Sequence, residues 1–309
     1  MAGGIAGKLV GKSDMSPKYQ PILWRWLSWF KVHPVVWAFT AVVAVASWHY
    51  LPDGGSDWSN IYVAIRQWWV APSEHAWPVL PWAAILLSPL GGASGRIATT
   101  LTNSLSVLLL AKLIRRFGGP EWMVVFVLLT PPGFWELTLG QIDVLVLSGL
   151  LFFNGLDPLI YLLKPQVAFG VLLPRLRRAG ITYLLPLVGM VCISLVVWWG
   201  WPVSVWIHSR HLCDNCNASL WPYGIPLGAA LLWFAWKTGD DRLGLAASPL
   251  LFPYVGLYSY LGLLAVVAAR WPKWTIIVWV TVYLLFGVVF FGAPGVIATI
   301  AGHFPYVLR

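Results

Sequence analysis

The sequence predicts an all-α, polytopic integral membrane protein with about nine to eleven membrane-embedded helices, some of them broken or re-entrant. Three observations predict it. Of the 309 residues, 59% are hydrophobic and 10% are charged, with a mean hydropathy of +0.75, whereas a soluble domain carries about 25% charged residues. Apolar runs of roughly the length a bilayer demands recur along the whole chain, separated by short basic or Pro/Gly-rich links. Finally, although the net charge is +9, the 20 Lys and Arg residues are spread between the apolar runs in small clusters. A water-soluble enzyme is excluded, and the positive-inside rule explains the basic clusters better than nucleic-acid binding does.

Residues 1–32 read as a cytoplasmic tail with an interfacial helix. Met1 to Gln20 lacks the apolar core of a signal peptide, and Trp24 to Lys31 interleaves aromatic and basic residues. Residues 33–309 form one membrane domain. His33 to Leu51 crosses outward. A polar outer loop at 52–78 follows, with an amphipathic run Trp58 to Val70. Val79 to Leu90 is short for a span. If it crosses, simple alternation puts Lys112 to Arg116 outside; if it is re-entrant, Ile97 to Ile114 returns to the cytoplasm and the charge rule holds, which is the preferred arrangement. Trp122 to Leu139 runs outward and Gln141 to Phe153 inward. The stretch from Pro158 to Pro174 is too short for a span and is expected as a pair of half-helices, which need a protein-lined or wet cavity to satisfy their backbone.

Ile181 to Trp199 leads to a second outer loop at 200–222, from which Tyr223 to Trp236 returns. Leu243 to Tyr260, interrupted by Ser248-Pro249 and Pro253, is broken, and Trp274 to Phe291 is the last clear span. The basic clusters Lys8 to Lys31, Lys112 to Arg116, Arg175 to Arg178, Lys237 to Arg242 and Arg270 to Lys273 are assigned to the cytoplasmic face. Trp residues at segment ends, such as Trp198, Trp199, Trp271 and Trp274, read as interfacial belts.

An ionisable group inside a bilayer is costly and marks a functional site by default. Glu136, Asp143, Asp157 and Lys164 qualify. Lys164 stands among aliphatics before Pro165; a lipid phosphate would partner its ammonium, and so would an interface or a pairing with Asp143 or Asp157. Glu136 and Asp143 flank Gly140-Gln141 at the ends of two helices and are candidates to bind a sugar hydroxyl or to cap a helix. Glu136 reads as structural and Asp157, before Pro158, as a helix cap. In the first outer loop, Asp57 is placed either to deprotonate an acceptor hydroxyl or to cap the interfacial helix, and spacing alone leaves these level. In the second, His208, Arg210 and His211 are candidates to hold a phosphate. Cys213 and Cys216 suit a local disulfide, with free thiols or a metal as alternatives. Cys192 is expected to pack, and Asn217-Ala218-Ser219 is a formal glycosylation sequon.

Asp57-Trp58 with Tyr62 and Ala64, the Pro81 to Pro89 run, Gly140-Gln141-Ile142-Asp143, Lys164-Pro165-Gln166 and Ser248-Pro249 occur in one order across roughly residues 33 to 300. Together they resemble the polyprenyl-phosphate-sugar-dependent glycosyltransferases of the GT-C class, in particular the mannosyltransferase-like branch. The resemblance implies an inverting enzyme of the cell membrane that moves a sugar from a lipid phosphate to an acceptor hydroxyl on a lipid, glycan or protein at the outer face. It implies Asp57 as the catalytic base, with Asp53 as fallback, Lys164 near the donor phosphate, and Gln141, Asp143 and Tyr62 near the sugar or acceptor. No metal or cofactor is required, since cationic side chains would stabilise the departing phosphate. The chain departs from the pattern in being short, in a compressed link from Phe153 to Lys164, and in carrying Asp143 where Asn is more typical. A catalytically inactive GT-C-like subunit or scaffold of a larger membrane assembly is the second reading, and a small transporter the third; the latter lacks paired repeats.

Overall fold

The computed structural model describes residues 31–51, 80–152, 155–203 and 217–292. Every element among these residues is helical. Helix α1 (Pro34–His49) starts at Pro34, with the His33 imidazole accepting from the Val35 N–H, and buries Val36, Thr40, Val43 and Ser47 on one stripe. Its other faces leave Val35, Trp37, Val42, Val45 and Trp48 exposed. After α2 (Pro81–Gly92), α3 (Gly95–Arg116) starts on a Ser94 cap and is long and apolar enough to cross a bilayer. Its 22 residues extend about 33 Å.

Helices α1 and α3 run antiparallel. The Lys31 carbonyl accepts from Lys112 Nζ at 3.1 Å and Arg115 Nη1 at 3.4 Å. Towards the other end, Asn103 Nδ2 donates to Ser47 Oγ and to the Leu137 carbonyl, both at 2.9 Å. The chain therefore comes back, through α3, to the end where α1 began, as the re-entrant reading of the preceding segment requires. Glu121 fastens that end. It accepts from the His33 N–H at 2.8 Å, from Lys112 at 3.2 Å and from Arg115 at 3.0 Å.

Burial pushes the Glu121 carboxyl up, but the bonds from Arg115, His33 and Lys112 outweigh it and hold the group below the ordinary glutamate range. A depressed carboxylate contributes stability above its unfolded-state pKa of about 4.3 and loses it as the pH falls through the lower folded-state value. Glu121→Gln should cost about 1.5–3 kcal/mol at neutral pH and flatten the acid limb of the melting profile below pH 4.3. An unchanged acid limb in the variant would show that another carboxylate governs it.

Where the sequence suggests one run over 122–139, the structure has a break. A 3-10 turn (Glu121–Met123) enters α4 (Val124–Leu128), and α5 (Pro131–Leu139) departs at 83°. Pro131 and Pro132 lack N–H groups, and Pro131 forces Thr130 into an extended conformation, from which its hydroxyl accepts the Gly133 N–H. Where the sequence predicts that Gln141 to Phe153 runs inward, the structure has the short α6 (Asp143–Leu147). The stretch predicted as a pair of half-helices is built of α7 (Asp157–Tyr161) and α8 (Pro165–Ala168), followed by α9 (Leu172–Ala179). Longer helices resume with α10 (Leu185–Val197) and α11 (Ile225–Thr238), then α12 (Asp241–Ala247), α13 (Leu261–Arg270) and α14 (Pro272–Gly292). The sequence reading assigns no helix between the broken stretch ending at Tyr260 and the last span; the structure forms α13 there, after the turn Leu257–Tyr260.

The core is closed by a backbone contact between the segment preceding α9 and α12. A Cβ on Gly170 would lie 2.1 Å from the Gly244 carbonyl oxygen, and one on Gly244 would lie 2.4 Å from the Gly170 oxygen. Ser248 Oγ bridges the pair, accepting the Gly170 N–H at 2.9 Å and donating to the Gly244 carbonyl at 3.1 Å. Gly244→Ala should therefore cost about 1–3 kcal/mol through forced separation. Gly189→Ala, with nothing within 4 Å of the new methyl, should be tolerated. Thermal melts of both variants check this, and equal losses would mean that the two segments do not touch.

The basic clusters gather at one end. Arg177 donates to the carbonyls of Trp236 and Lys237, and Arg178 to that of Gly239, so the turns after α9 and α11 are joined. Arg116, Arg175 and Arg178 line one cavity. Ala269, next to Arg270, packs against Gly119. One member of these clusters does not face outward. Arg175 is 7% exposed and bonded to carboxylates, because its position on α9 turns it toward α7 and α12. Cys192 also differs from expectation: it lies exposed on α10 and does not pack inside.

Candidate functional site

Gly140 ends α5 in the left-handed conformation that glycine adopts without strain, with φ of 66°. The turn delivers Gln141 and Asp143 to the start of α6. Glu136 supports it, its carbonyl accepting from the Gln141 N–H at 3.1 Å and its carboxylate from the Val144 N–H at 3.2 Å. This matches the structural role read for Glu136. Lys164 reaches the same place from the other side. As the residue before a proline it is held in an extended conformation, φ −143° and ψ 83°, in the gap between α7 and α8.

The Lys164 ammonium donates to Gln141 Oε1 and, at 2.5 Å, to Asp143 Oδ2. It lies 4.4 Å from the centre of the Tyr258 ring. The second Asp143 oxygen accepts from Ser259 Oγ at 2.9 Å. Asp143 is fully buried, Gln141 and Ser259 are each 1% exposed, and the Lys164 side chain is 17% exposed. Of the partners the sequence allows for Lys164, the structure gives it Asp143. Gln141, Asp143 and Lys164, 21 to 23 residues apart in the chain, thus form one cluster with Ser259 and Tyr258. The lysine–aspartate pair is charge-neutral, so it offers hydrogen bonds to a hydroxylated ligand more readily than a free cation to an anion.

Asp157 belongs elsewhere. It is the first residue of α7, but its side chain caps nothing in that helix. One oxygen accepts from the Gly155 N–H at 2.9 Å; the other accepts from Arg175 Nη1 at 2.5 Å and from the Tyr183 hydroxyl. Arg175 also reaches Asp241 Oδ2 at 3.4 Å and the Leu150 carbonyl at 3.4 Å. A buried ion pair at the basic end thus replaces the expected cap. The cause is that the Asp-Pro pair starts α7 with the carboxylate turned toward α9.

Ser259 and Tyr258 are absent from the sequence reading. Their signal is faint: a Tyr-Ser-Tyr run at 258–260 between two chain breaks in an apolar segment. Asn217 has a structural task, its amide bonding the Pro253 carbonyl at 2.9 Å and the Val255 N–H at 3.0 Å. Next to it, the Ala218 carbonyl accepts from the Tyr260 hydroxyl at 2.9 Å. Asn217, where the described chain resumes, is thus tied through Ala218 to Tyr260, the neighbour of Ser259. Asp57, Asp53, Tyr62, His208, Arg210, His211, Cys213 and Cys216 lie outside the described residues. Among the described residues, no three His, Cys, Asp or Glu side chains come together in a way that could hold a metal ion. Compared with protein-family models, curated proteins and solved structures, the chain matches none.

Proposed function

We propose that the protein is a multi-pass membrane enzyme of the GT-C kind that transfers a sugar, mannose in the branch it resembles, from a polyprenyl phosphate to an acceptor hydroxyl. The observation that carries this reading is the convergence of Gln141, Asp143 and Lys164, two separate pieces of the resemblance, on one buried polar cluster. The membrane part rests on the inversion of the usual exterior. Large apolar side chains stand exposed along α1, α10, α11 and α14, while hydroxyls, amides and ion pairs are inside and basic residues rim one end. On this reading the basic end is cytoplasmic and the outer loops at 52–78 and 200–222 lie across the bilayer from it.

In the reaction, Asp57 takes the proton of the acceptor hydroxyl while the phosphate departs from the opposite face of the sugar, which gives inversion. Arg210, His208 and His211, entering from the second outer loop, supply positive charge to the leaving phosphate. Lys164 orients the donor end through Gln141 and Asp143, and its ammonium reaches the phosphate when Asp143 turns to Ser259 alone. A non-catalytic subunit of a membrane assembly is the second reading. The specific observation favouring it is that Lys164 already has its carboxylate.

Reconstituted protein incubated with polyprenyl-phosphate-mannose and an alcohol acceptor separates the two. Transfer that is lost in Asp57→Asn, with unaltered melting, supports the enzyme. Transfer retained in Asp57→Asn but lost in Asp53→Asn moves the base by one short turn, and no donor turnover across polyprenyl-phosphate sugars leaves the subunit reading. Topology is tested by cysteine labelling: residues placed at 57 and 177 should react from opposite sides of the membrane, and labelling from one side sinks the arrangement.

A further inference from the structure

The basic end carries an open cavity of about 420 Å³, distinct from the Lys164 cluster and used by nothing in the proposed reaction. Its polar wall is Arg116, Arg175, Arg178, Asp157, Thr182 and Tyr183. The charges there do not cancel. Arg175 is committed to Asp157 at 2.5 Å and Asp241 at 3.4 Å, and Arg178 to Asp241 at 2.6 Å. Two arginines and two aspartates balance, and Arg116 is left over. It is exposed at the end of α3 and has no ion pair or hydrogen bond to another of the described residues. A cavity walled by guanidinium groups with one positive charge in excess suits a phosphate oxygen.

The rim of this cavity is apolar on one side. Ile181 and Leu185, on either side of the wall residues Thr182 and Tyr183, are 74% and 63% exposed. From there an exposed stripe climbs α10 through Val188, Cys192 and Val196, spaced three to four residues apart and so on one helix face. A charged foot continuous with an apolar stripe fits an amphiphile whose head is anionic and whose tail runs along a helix. A free phosphate would have use for the foot alone.

We propose that this cavity binds the phosphate of an anionic phospholipid, with Arg116 as its principal contact, Arg178 beside it, and an acyl chain along the Leu185–Val196 stripe. The site rests on the membrane placement but not on sugar transfer. It holds a resident lipid at the end of the bundle where α3, α7, α9 and α10 meet.

Native mass spectrometry of the full-length protein, released from membranes of equal phosphatidylglycerol and phosphatidylcholine, tests it. The wild type should retain phosphatidylglycerol preferentially. Arg116→Gln should lower that preference by about tenfold or more, whereas Arg116→Lys should keep most of it. Lys237→Gln, which removes a charge at the same end outside the cavity, should leave it unchanged. Equal retention of the two lipids, indifference to Arg116→Gln, or an equal loss in Lys237→Gln overturns the site. Inorganic phosphate raising the melting temperature as much as phosphatidylglycerol overturns the lipid as ligand. A protein that does not enter the membrane fraction at all refutes the membrane placement itself, which is a different result from retaining both lipids alike.

Discussion

Asp143→Ala should destabilise the protein by about 3–5 kcal/mol, because it removes the carboxylate that compensates the largely buried Lys164 ammonium. Both oxygens of this fully buried carboxylate are engaged, one by Lys164 at 2.5 Å and one by Ser259 at 2.9 Å. Removing the hydroxyl alone, in Ser259→Ala, should cost about 1 kcal/mol. Replacing both charges, in Asp143→Leu with Lys164→Met, should recover most of the loss, since apolar residues of similar volume often match a buried pair. Unfolding of the detergent-solubilised variants measures this, and Asp143→Ala melting within 0.5 kcal/mol of wild type would mean that the pair is not formed. Asp143→Asn adds a functional arm. It keeps an acceptor for Lys164, reverses the Ser259 bond so that the amide donates to the hydroxyl, and removes the negative charge that balances the ammonium. Binding of a polyprenyl-phosphate sugar should then tighten if Lys164 serves the donor, and stay unchanged if the lysine is only structural.

The second large effect belongs to Arg175. Its guanidinium spans Asp157, Asp241 and the Leu150 carbonyl, and Tyr183 completes the set through Asp157. Arg175→Met leaves the fully buried Asp157 without its cation, while Asp241 keeps Arg178 at 2.6 Å, and should cost about 3–5 kcal/mol. Arg175→Lys should rescue only part of it, because a point charge cannot address three acceptors lying in different directions as the planar fork does. Full rescue by lysine would show that the charge alone matters. Arg177→Gln, whose guanidinium meets only carbonyls at an exposed site, is the comparison and should cost about 1 kcal/mol.

The all-helical architecture was legible because long apolar helices announce themselves through composition, but the expected nine to eleven spans were not. Among the described residues one helix, α3, is long and apolar enough to cross a bilayer, or two if the bent pair 121–139 counts as one span. The limits of α1, α3, α10, α11 and α14 follow from apolar length and from prolines and basic residues at their ends. So does the sharing of one end by the basic clusters, since charges kept out of the apolar body of the protein must collect somewhere. The breaks at Lys164-Pro165 and Ser248-Pro249 were readable because proline removes a donor and restricts its predecessor. The 83° bend inside 121–139 was not, because two prolines at a helix start look the same whether the helix continues the previous axis or leaves it. Lys164 and Asp143 could be named as embedded charges, but their pairing needs a distance that spacing cannot supply. Arg175 was misassigned for a related reason: in Arg175-Leu176-Arg177-Arg178 one arginine in three turns inward, and only its helical register with Leu172 betrays it. Ser259 and Tyr258 were silent, hydroxyls being common in apolar segments.

The closure of the core through Gly170, Gly244 and Ser248 bears on how the chain is made. Helices α6 to α9 have five, five, four and eight residues, too few to be stable singly as they leave the ribosome. Their permanent neighbours arrive late: Asp241 is 66 residues after Arg175, Ser248 is 78 after Gly170, and Ser259 is 116 after Asp143. At a synthesis rate of about 5–20 residues per second, the N-terminal half waits several seconds with these groups unmet. A nascent chain interrupted before α12 would therefore be a substrate for quality-control proteolysis, and the last third of the polypeptide serves the first two thirds as a delayed internal chaperone.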